Sequence, residues 1–303
     1  MPEPATTASA LQMEVLPPSV RPVALITGAS RGIGAATAKE LARRGYTLVL
    51  AARSEPDLRE IARELASTGA CCHIVPTDLR RREDVEELAR TTLARFGAVD
   101  ALIHNAGVAF PMQWLLELTQ DNVADVIETN LLAPIELTRR LLPAMIERRS
   151  GFIAFIGSVG GHVALPAGAP YSASKFGLRG FAGALRREVK RHGIKVSIIS
   201  PGFVSTRLTE ELRKVTARLR LHMLSTDHVA KVIADAIDRP RREIVVPGYY
   251  RIFSWIERAL PFIIDRISDW LLAALKGQSR EPVRPEVTGI SQMIVERHQS
   301  GWN

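Results

Sequence analysis

Short runs rich in Val, Ile and Leu alternate along the chain with longer stretches in which apolar residues recur at helical spacing. The short runs predict β-strands, and the longer stretches predict α-helices. The predicted strands cover residues 23–26, 46–51, 72–75, 99–104, 152–156, 195–199 and 243–246. The predicted helices run from the turn after the first strand to residue 44, and then over residues 56–67, 82–96, 131–148, 171–192 and 225–238.

The predicted strands are mostly continuous apolar runs rather than alternations of apolar and polar residues. This pattern is typical of parallel strands that are covered by helices on both faces. It predicts an α/β fold with a doubly wound parallel sheet. We expect this domain to span residues 21–248, after a flexible N-terminal extension at 1–20. An amphipathic helical segment at 249–276 and a polar tail at 277–303 are expected to follow it.

The segment after the predicted domain places aromatic and aliphatic residues at helical spacing, and Pro261 divides it. Three hypotheses fit this pattern. The first is packing on the domain or on a partner subunit of a homo-oligomer. The second is peripheral membrane attachment, which Trp255, Trp270 and the nearby arginines favour. The third is a lid over a binding pocket.

Composition and charge narrow the classes of protein and partner. The chain has 303 residues, 46% hydrophobic and 24% charged, which excludes a disordered or fibrous protein. Its net charge of +8 permits nucleic acid, an anionic membrane or a phosphorylated cofactor as a partner. The densest basic clusters, at 80–82 and 239–242, contain no aromatic residues on which bases could stack. We therefore interpret them as solvated surface and predict no nucleic-acid partner.

Cysteine usage and the N-terminal residues bear on location. Cys71 and Cys72 are adjacent and form no CxxC pair, which indicates a reducing, intracellular setting. Residues 1–20 lack the apolar core of a signal peptide, and no apolar run approaches the about 20 residues of a membrane span. We predict a cytoplasmic protein, with peripheral membrane contact as an alternative. No spacing of His, Cys and carboxylate residues predicts a metal site.

A glycine-rich turn follows the first predicted strand and leads into the first helix. It reads Thr27-Gly28-Ala29-Ser30-Arg31-Gly32-Ile33-Gly34. Glycines in such a turn let a pyrophosphate approach the main-chain N–H groups at the start of the helix. The spacing is GxxxGxG rather than the commoner GxGxxG, and glycine turns between a strand and a helix are frequent. The position of this turn directly after the first strand strengthens the prediction of a dinucleotide site.

The end of the second predicted strand departs from the pattern typical of NAD sites, which place an acid there for the adenosine ribose. Arg53 stands at this end, and the first acid is Glu55. Arg53, together with Arg31, is suited to pair with a 2′-phosphate. We therefore favour NADP(H) over NAD(H), with two solvated arginines as the alternative.

Tyr171 and Lys175 are four residues apart on a predicted helix, so their side chains share a face. The pKa of a free tyrosine is about 10, and a nearby ammonium favours the phenolate. This spacing arises easily by chance. A possible partner, Ser158, comes directly after the fifth predicted strand, at the sheet edge where ligands bind in open α/β folds.

Taken with further motifs, these residues resemble the short-chain dehydrogenase/reductase family. The five matching motifs, in chain order, are the glycine turn, Asp78-Leu79, Asn105-Ala106-Gly107, Ser158 with the Tyr171/Lys175 pair, and Pro201-Gly202 with Thr206. The resemblance implies a single Rossmann-type domain, an NAD(P)-dependent oxidoreductase acting on CH–OH groups, and a homo-oligomer.

The resemblance also implies a role for each matching residue. Tyr171 is the general acid in reduction and the base in oxidation, and Lys175 lowers its pKa and holds the nicotinamide ribose. Ser158 binds the substrate oxygen, and Asn130 positions a water that links Lys175 to solvent. The implied cofactor-binding set is Thr27, Gly28, Ser30, Arg31, Gly32, Ile33, Gly34, Arg53, Asp78, Leu79, Asn105, Ala106, Gly107, Tyr171, Lys175, Pro201, Gly202, Val204 and Thr206. Within it, Asp78 contacts the adenine amino group and Thr206 orients the nicotinamide amide.

The regions that select substrate in this family are apolar here. Residues 159–170 are small and apolar apart from His162, and residues 208–224 have the amphipathic composition of a lid. We expect a small lipophilic ketone or secondary alcohol as the substrate. The alternatives are an NAD-dependent alcohol dehydrogenase and a non-catalytic dinucleotide-binding scaffold. His104, where the family usually has Asn, is expected to be a packed strand-end residue, and the other histidines are expected at the surface.

Overall fold

The computed structural model describes residues 21–110, 113–164, 166–206, 209 and 223–276, without the side chains of residues 270–276. The expected N-terminal extension, the polar tail and most of the expected lid lie outside the described residues. The boundaries expected for the four segments of the chain stay predictions.

A seven-stranded parallel sheet forms the centre of the molecule, in the order β3-β2-β1-β4-β5-β6-β7. The strands are β1 (Val23–Thr27), β2 (Thr47–Ala52), β3 (Cys72–Pro76), β4 (Ala101–His104), β5 (Phe152–Ile156), β6 (Lys195–Pro201) and β7 (Glu243–Val246). The order reverses between β1 and β4, which opens a crevice at the carboxyl edge of the sheet. The predicted doubly wound α/β fold is confirmed.

Helices cover both faces of the sheet, and each face has its own apolar core. The helices are α1 (Gly32–Arg43), α2 (Glu55–Ala66), α3 (Arg82–Phe96), α4 (Gln120–Ile127), α5 (Ala133–Arg148), α6 (Ala169–Val189), α7 (Thr226–Asp238), α8 (Tyr250–Ala259) and α9 (Pro261–Lys276). Along β1, Leu25 joins the core beneath α3, α5 and α6, and Ile26 joins the core beneath α1, α2 and α7. This two-sided burial is why most strand positions are apolar, without an alternation of apolar and polar residues.

The structure differs from the sequence prediction ahead of α5. The predicted helix at 131–148 is preceded by α4 and by a π-helical turn, Glu128–Leu132, which makes the helical region longer than predicted. Thr119 caps α4 by accepting a hydrogen bond from the Asn122 N–H at 3.1 Å. Because α4 is short and has one buried residue, Val126, its apolar periodicity is weak.

The C-terminal segment forms two helices that meet at Pro261, as its sequence predicts. None of the residues of α8 is classed as buried, whereas Ile264 of α9 is buried. Within the described residues, no helix combines the length and apolarity needed to cross a bilayer.

Candidate active site

A cavity of about 610 Å³ opens at the carboxyl edge of the sheet, where β1, β4, β5 and β6 end. Parallel sheets of this kind bind ligands at this edge. Eighteen of the residues expected from the sequence line it: Gly28, Ser30, Arg31, Gly32, Ile33, Arg53, Asp78, Leu79, Asn105, Ala106, Gly107, Ser158, Tyr171, Lys175, Pro201, Gly202, Val204 and Thr206. The other three, Thr27, Gly34 and Asn130, are not among its lining residues and hold the lining residues in place.

The turn between β1 and α1 is suited to a pyrophosphate. Gly28 has φ +66°, a conformation that favours glycine, and a Cβ on Gly34 would lie 2.1 Å from the Gly28 carbonyl oxygen. In the described structure no side chain caps α1, whose N-cap residue is Arg31. Its first N–H groups are therefore free to bind an anion, so these residues fit the phosphates of a dinucleotide.

Thr27 and Asn105 join this turn to the loop after β4. The Thr27 hydroxyl accepts hydrogen bonds from the N–H groups of Asn105 and Ala106, at 3.1 and 3.2 Å. The Asn105 side-chain amide donates to the carbonyl oxygens of Thr27 and Gly28, at 3.0 and 3.1 Å. Both loops are thus held at one edge of the cavity.

Charged side chains surround the end of the cavity next to β2 and β3. Arg31 and Arg53 are exposed and line it, and so does Asp57, an acid that sequence analysis did not single out. Arg80 donates to the Asp78 carboxylate through Nε, at 3.0 and 3.1 Å, and binds Asp125 as well. The hydrogen bonds from Arg80 lower the pKa of Asp78, so its carboxylate is ionised at neutral pH.

Ser158 and Tyr171 meet at the opposite end of the cavity. Ser158 follows β5 and accepts a hydrogen bond from the Gly160 N–H at 3.1 Å, and Tyr171 lies in the first turn of α6. Burial raises the pKa of Tyr171 above its ordinary value, and a hydrogen bond with Ser158 opposes that shift. The phenol is therefore protonated at neutral pH, which suits a proton donor.

Lys175 lies one turn further along α6 and is buried. Its ammonium donates to the Ile156 carbonyl oxygen at 2.9 Å, and Nζ lies 5.7 Å from the centre of the Tyr171 ring. Burial lowers the pKa of Lys175 to about 8. Burial is the larger of the two effects on the pKa of Tyr171, ahead of the hydrogen bond with Ser158, and the role of Lys175 in lowering that pKa stays a prediction.

Asn130 is fully buried in the π-helical turn between α4 and α5. Its Oδ1 accepts from the Val108 N–H at 2.8 Å, and its Nδ2 donates to the Val108 carbonyl at 2.8 Å and to the Ser174 hydroxyl at 3.1 Å. A Cβ on Gly107 would lie 3.5 Å from Asn130 Oδ1 and 3.8 Å from Lys175 Nζ, so both atoms border the same glycine. Turns of this kind often mark functional sites.

The loop after β6 closes the cavity near the start of α1. The Thr206 N–H donates to the Thr209 hydroxyl at 3.2 Å, and the Thr209 hydroxyl in turn donates to the Val204 carbonyl. A Cβ on Gly32 would lie 3.5 Å from the Thr206 methyl carbon. The loop therefore lies across the entry to the glycine turn.

Sequence analysis missed part of the cavity wall, although several of these residues stand beside ones that it identified. Ser54 follows Arg53, Thr77 precedes Asp78, and Val108 follows Gly107, so adjacency to a motif is the signal that could have found them. The lining residues not predicted are Ala52, Ser54, Asp57, Thr77, Val108, Thr129, Ile156, Gly157, Ser205, Thr209 and Thr226.

Two histidines are buried close to the site. His104 stacks on Phe155, and its Nε2 lies 2.8 Å from the Thr138 hydroxyl, so the predicted packed role is confirmed. Burial lowers the pKa of His104 to about 3, which keeps it neutral. The expectation that every other histidine lies at the surface is wrong for His162, which is buried between the turn after β5 and helix α8.

Comparison with known proteins agrees with this geometry. The family model described as short chain dehydrogenase matches residues 22–217. The chain is 34% identical over 262 residues to 17-beta-hydroxysteroid dehydrogenase 13 of Homo sapiens, covering 84% of this chain and 86% of the relative. It is 31% identical to Ketoacyl reductase HetN of Nostoc sp., covering 91% of this chain and 97% of the relative.

Solved structures agree as well. An actinorhodin polyketide ketoreductase variant with NADPH has a TM-score of 0.69 and 32% identity, covering 75% of this chain and 96% of that chain. A metagenomic short-chain oxidoreductase in complex with NADP has a TM-score of 0.65 and 32% identity, covering 74% of this chain and 95% of that chain.

The chain belongs to the short-chain dehydrogenase/reductase family. It is an oxidoreductase that acts on CH–OH groups with NAD(P), and its fold is of the Rossmann type.

Proposed function

We propose that this protein is an NADP(H)-dependent oxidoreductase that interconverts a lipophilic ketone and a secondary alcohol by hydride transfer. The observation that carries the proposal is the meeting of Ser158, Tyr171 and Lys175 at one end of a cavity whose other end combines the glycine turn with Arg31 and Arg53. A catalytic triad of this type has no use in a non-catalytic scaffold, which is the alternative from another class of protein.

NADPH, when bound, supplies the hydride, and the chain supplies alignment and a proton. In reduction the Tyr171 hydroxyl donates its proton to the substrate oxygen, and in oxidation the same group accepts one. The Ser158 hydroxyl holds the substrate oxygen within reach of the phenol. Lys175 holds the nicotinamide ribose. Asn130 binds both the N–H group and the carbonyl oxygen of Val108, and it thereby supports the loop that borders Lys175.

The cofactor preference rests on charge at the adenosine end. Arg31 and Arg53 are exposed where a 2′-phosphate would lie, and both solved relatives above hold NADPH or NADP. Asp57 in the same wall is the residue that favours the alternative, an NAD-dependent alcohol dehydrogenase, because an acid there can bind ribose hydroxyls.

The proposal of a lipophilic substrate rests on the walls around Ser158 and Tyr171. Val108 and Ile156 line the cavity, and the exposed apolar residues Trp114, Leu115 and Leu116 follow the loop that carries Val108. The names of the two curated relatives, a hydroxysteroid dehydrogenase and a ketoacyl reductase, support a carbonyl or alcohol on a largely hydrocarbon skeleton.

Initial rates of NADPH oxidation with acetone and with 2-octanone test the proposed substrate class. We expect kcat/KM to be at least about tenfold higher for 2-octanone, because burial of two methylene groups already supplies about 1.6 kcal/mol. Equal values for the two ketones would contradict the lipophilic substrate. The scaffold would be favoured if NADPH were not oxidised with either ketone and 2-octanol were not oxidised in the reverse direction.

We also propose that copies of the chain associate and that helix α8 contacts a membrane surface from the cytoplasmic side. Exposed Leu132 and Phe176, on elements that pack together, support contact between copies. The exposed apolar side chains of Ile252 and Trp255, with exposed Arg251 and Arg258 beside them, support the membrane contact.

A further inference from the structure

His162 is the centre of a buried polar cluster that no step of the proposed reaction uses. It follows the short 3-10 turn Val159–Gly161, which begins directly after Ser158. Its Nε2 lies 3.1 Å from the Ser200 hydroxyl of β6, and its Nδ1 lies 3.0 Å from the Ser254 hydroxyl of α8. One imidazole ring therefore contacts both β6 and α8.

An ion pair completes the cluster. Glu243, the first residue of β7, places Oε1 3.4 Å from His162 Nε2. Arg179 of α6 donates to the same carboxylate through Nε at 2.5 Å and through Nη2 at 3.2 Å. Because α6 also carries Tyr171 and Lys175, the cluster connects the catalytic helix with the far edge of the sheet.

These neighbours determine the hydrogen-bonding state of the imidazole. Burial and the positive charge of Arg179 lower the pKa of His162, and Glu243 opposes them in part. In the neutral ring, an Nε2–H that donates toward the oxygens of Glu243 and Ser200 leaves Nδ1 to accept a hydrogen bond from the Ser254 hydroxyl. The contact between His162 and Ser254 is therefore directional.

Helix α8 has a second contact next to this one. A Cβ on Gly202 would lie 2.6 Å from Cε2 of Tyr250, so the Tyr250 ring covers that glycine closely. Tyr250 and Ser254 are four residues apart and share one face of α8. That face thus contacts the loop after β6 through Tyr250 and the turn after β5 through Ser254.

We propose that His162 is a positioning residue, which holds the Ser158 turn, the Pro201–Gly202 loop and helix α8 in one fixed arrangement. The substrate oxygen is bound by Ser158, and Gly202 lines the cavity, so a displaced α8 changes the shape of the substrate end. The catalytic consequence rests on the proposed function, whereas the physical coupling does not.

Hydrogen–deuterium exchange of the full chain tests the coupling without any substrate. The variant is Ser254→Ala, because replacement of the buried His162 itself endangers folding. We expect faster exchange, by about tenfold, both within Tyr250–Ala259 and at residues 158–162. Ser254→Thr keeps the hydroxyl and is expected to restore wild-type exchange in both places.

A matched control removes the same kind of bond elsewhere. Thr138→Val deletes the hydroxyl that lies 2.8 Å from His104 Nε2, and it is expected to leave exchange at residues 158–162 unchanged. The proposal is overturned if Ser254→Ala accelerates exchange in α8 alone. It is also overturned if Thr138→Val has the same effect at residues 158–162 as Ser254→Ala.

Kinetics with NADPH and 2-octanone separate positioning from general damage. We expect Ser254→Ala to raise KM several-fold for 2-octanone with a smaller change in kcat, and to leave NADPH affinity unchanged. A loss of NADPH affinity equal to the rise in KM would mean general destabilisation and would count against positioning. If no ketone is turned over at all, the proposed function fails, while the exchange experiment still decides the role of His162.

Discussion

Arg53 and Arg31 carry the proposed preference for NADP(H), since both are exposed in the wall of the cavity. A charge-assisted hydrogen bond contributes about 1.5–3 kcal/mol, and exposure to solvent reduces this. We expect Arg53→Ala to weaken NADPH binding roughly tenfold and to change NADH binding less than about twofold, as measured by fluorescence titration. The physical reason is that only NADPH carries the 2′-phosphate.

Arg63→Ala is the control for that titration. It removes one positive charge from an exposed position of α2 that does not line the cavity. NADPH affinity is expected to stay within about twofold of the wild type in this variant. Tighter binding of NADH than of NADPH by the unaltered protein would overturn the preference and favour the alternative with Asp57 at the ribose.

The sequence predicts a residue's role well where that role depends on residues nearby in the chain. Glycine is needed at position 28 because φ is +66°, and at position 34 because a Cβ there would lie 2.1 Å from the Gly28 carbonyl oxygen. The burial of His162 could not be predicted, because its partners Ser200, Glu243 and Ser254 come from three later elements. The raised pKa of Tyr171 could not be predicted for the same reason, since burial depends on the whole fold.

At the scale of elements, helix α8 leaves large apolar side chains exposed to solvent. Tyr250 and Ser254 face the domain, while Ile252 and Trp255 are 58% and 63% exposed. We expect the full chain to float with vesicles of phosphatidylcholine and phosphatidylglycerol, and Ile252→Glu or Trp255→Glu to abolish most of that flotation. Charged side chains on this face oppose insertion among lipid headgroups.

Leu116→Glu is the control for flotation. Leu116 is 83% exposed and lies in the segment after β4, away from α8 in the sequence. The variant therefore tests whether loss of any exposed apolar residue reduces flotation. Membrane contact through α8 would be rejected if all three variants lost flotation equally. It would also be rejected if all three kept it. A change in sedimentation coefficient on Trp255→Glu without loss of flotation would instead indicate that α8 lies between copies of the chain.

The elements themselves were predictable to the extent that their patterns were strong. All seven strands occur where apolar runs predicted them, because burial on both faces favours apolar residues at most strand positions. Helix α4 and the π-helical turn with Asn130 were missed, since a short helix with one buried residue has little periodicity. The two C-terminal helices were predicted, but the direction of their apolar faces depends on contacts that sequence does not contain.

The whole molecule brings the proposed cofactor site and the proposed proton donor to one sheet edge. The reversal of strand order between β1 and β4 opens the crevice there, and Ser158 and Gly202 follow the ends of the neighbouring strands β5 and β6. The motif order along the chain was sufficient to predict this arrangement, because parallel strands bring all their carboxyl ends to one edge.

The central claim is that Tyr171 transfers the proton in an NADPH-dependent reduction. The most direct test measures Tyr171→Phe twice, by NADPH titration and by turnover of 2-octanone. We expect NADPH affinity within about threefold of the wild type and kcat lower by at least about a hundredfold, because a general acid contributes 10²–10⁴-fold. Turnover that stays within about threefold of the wild type would contradict the account.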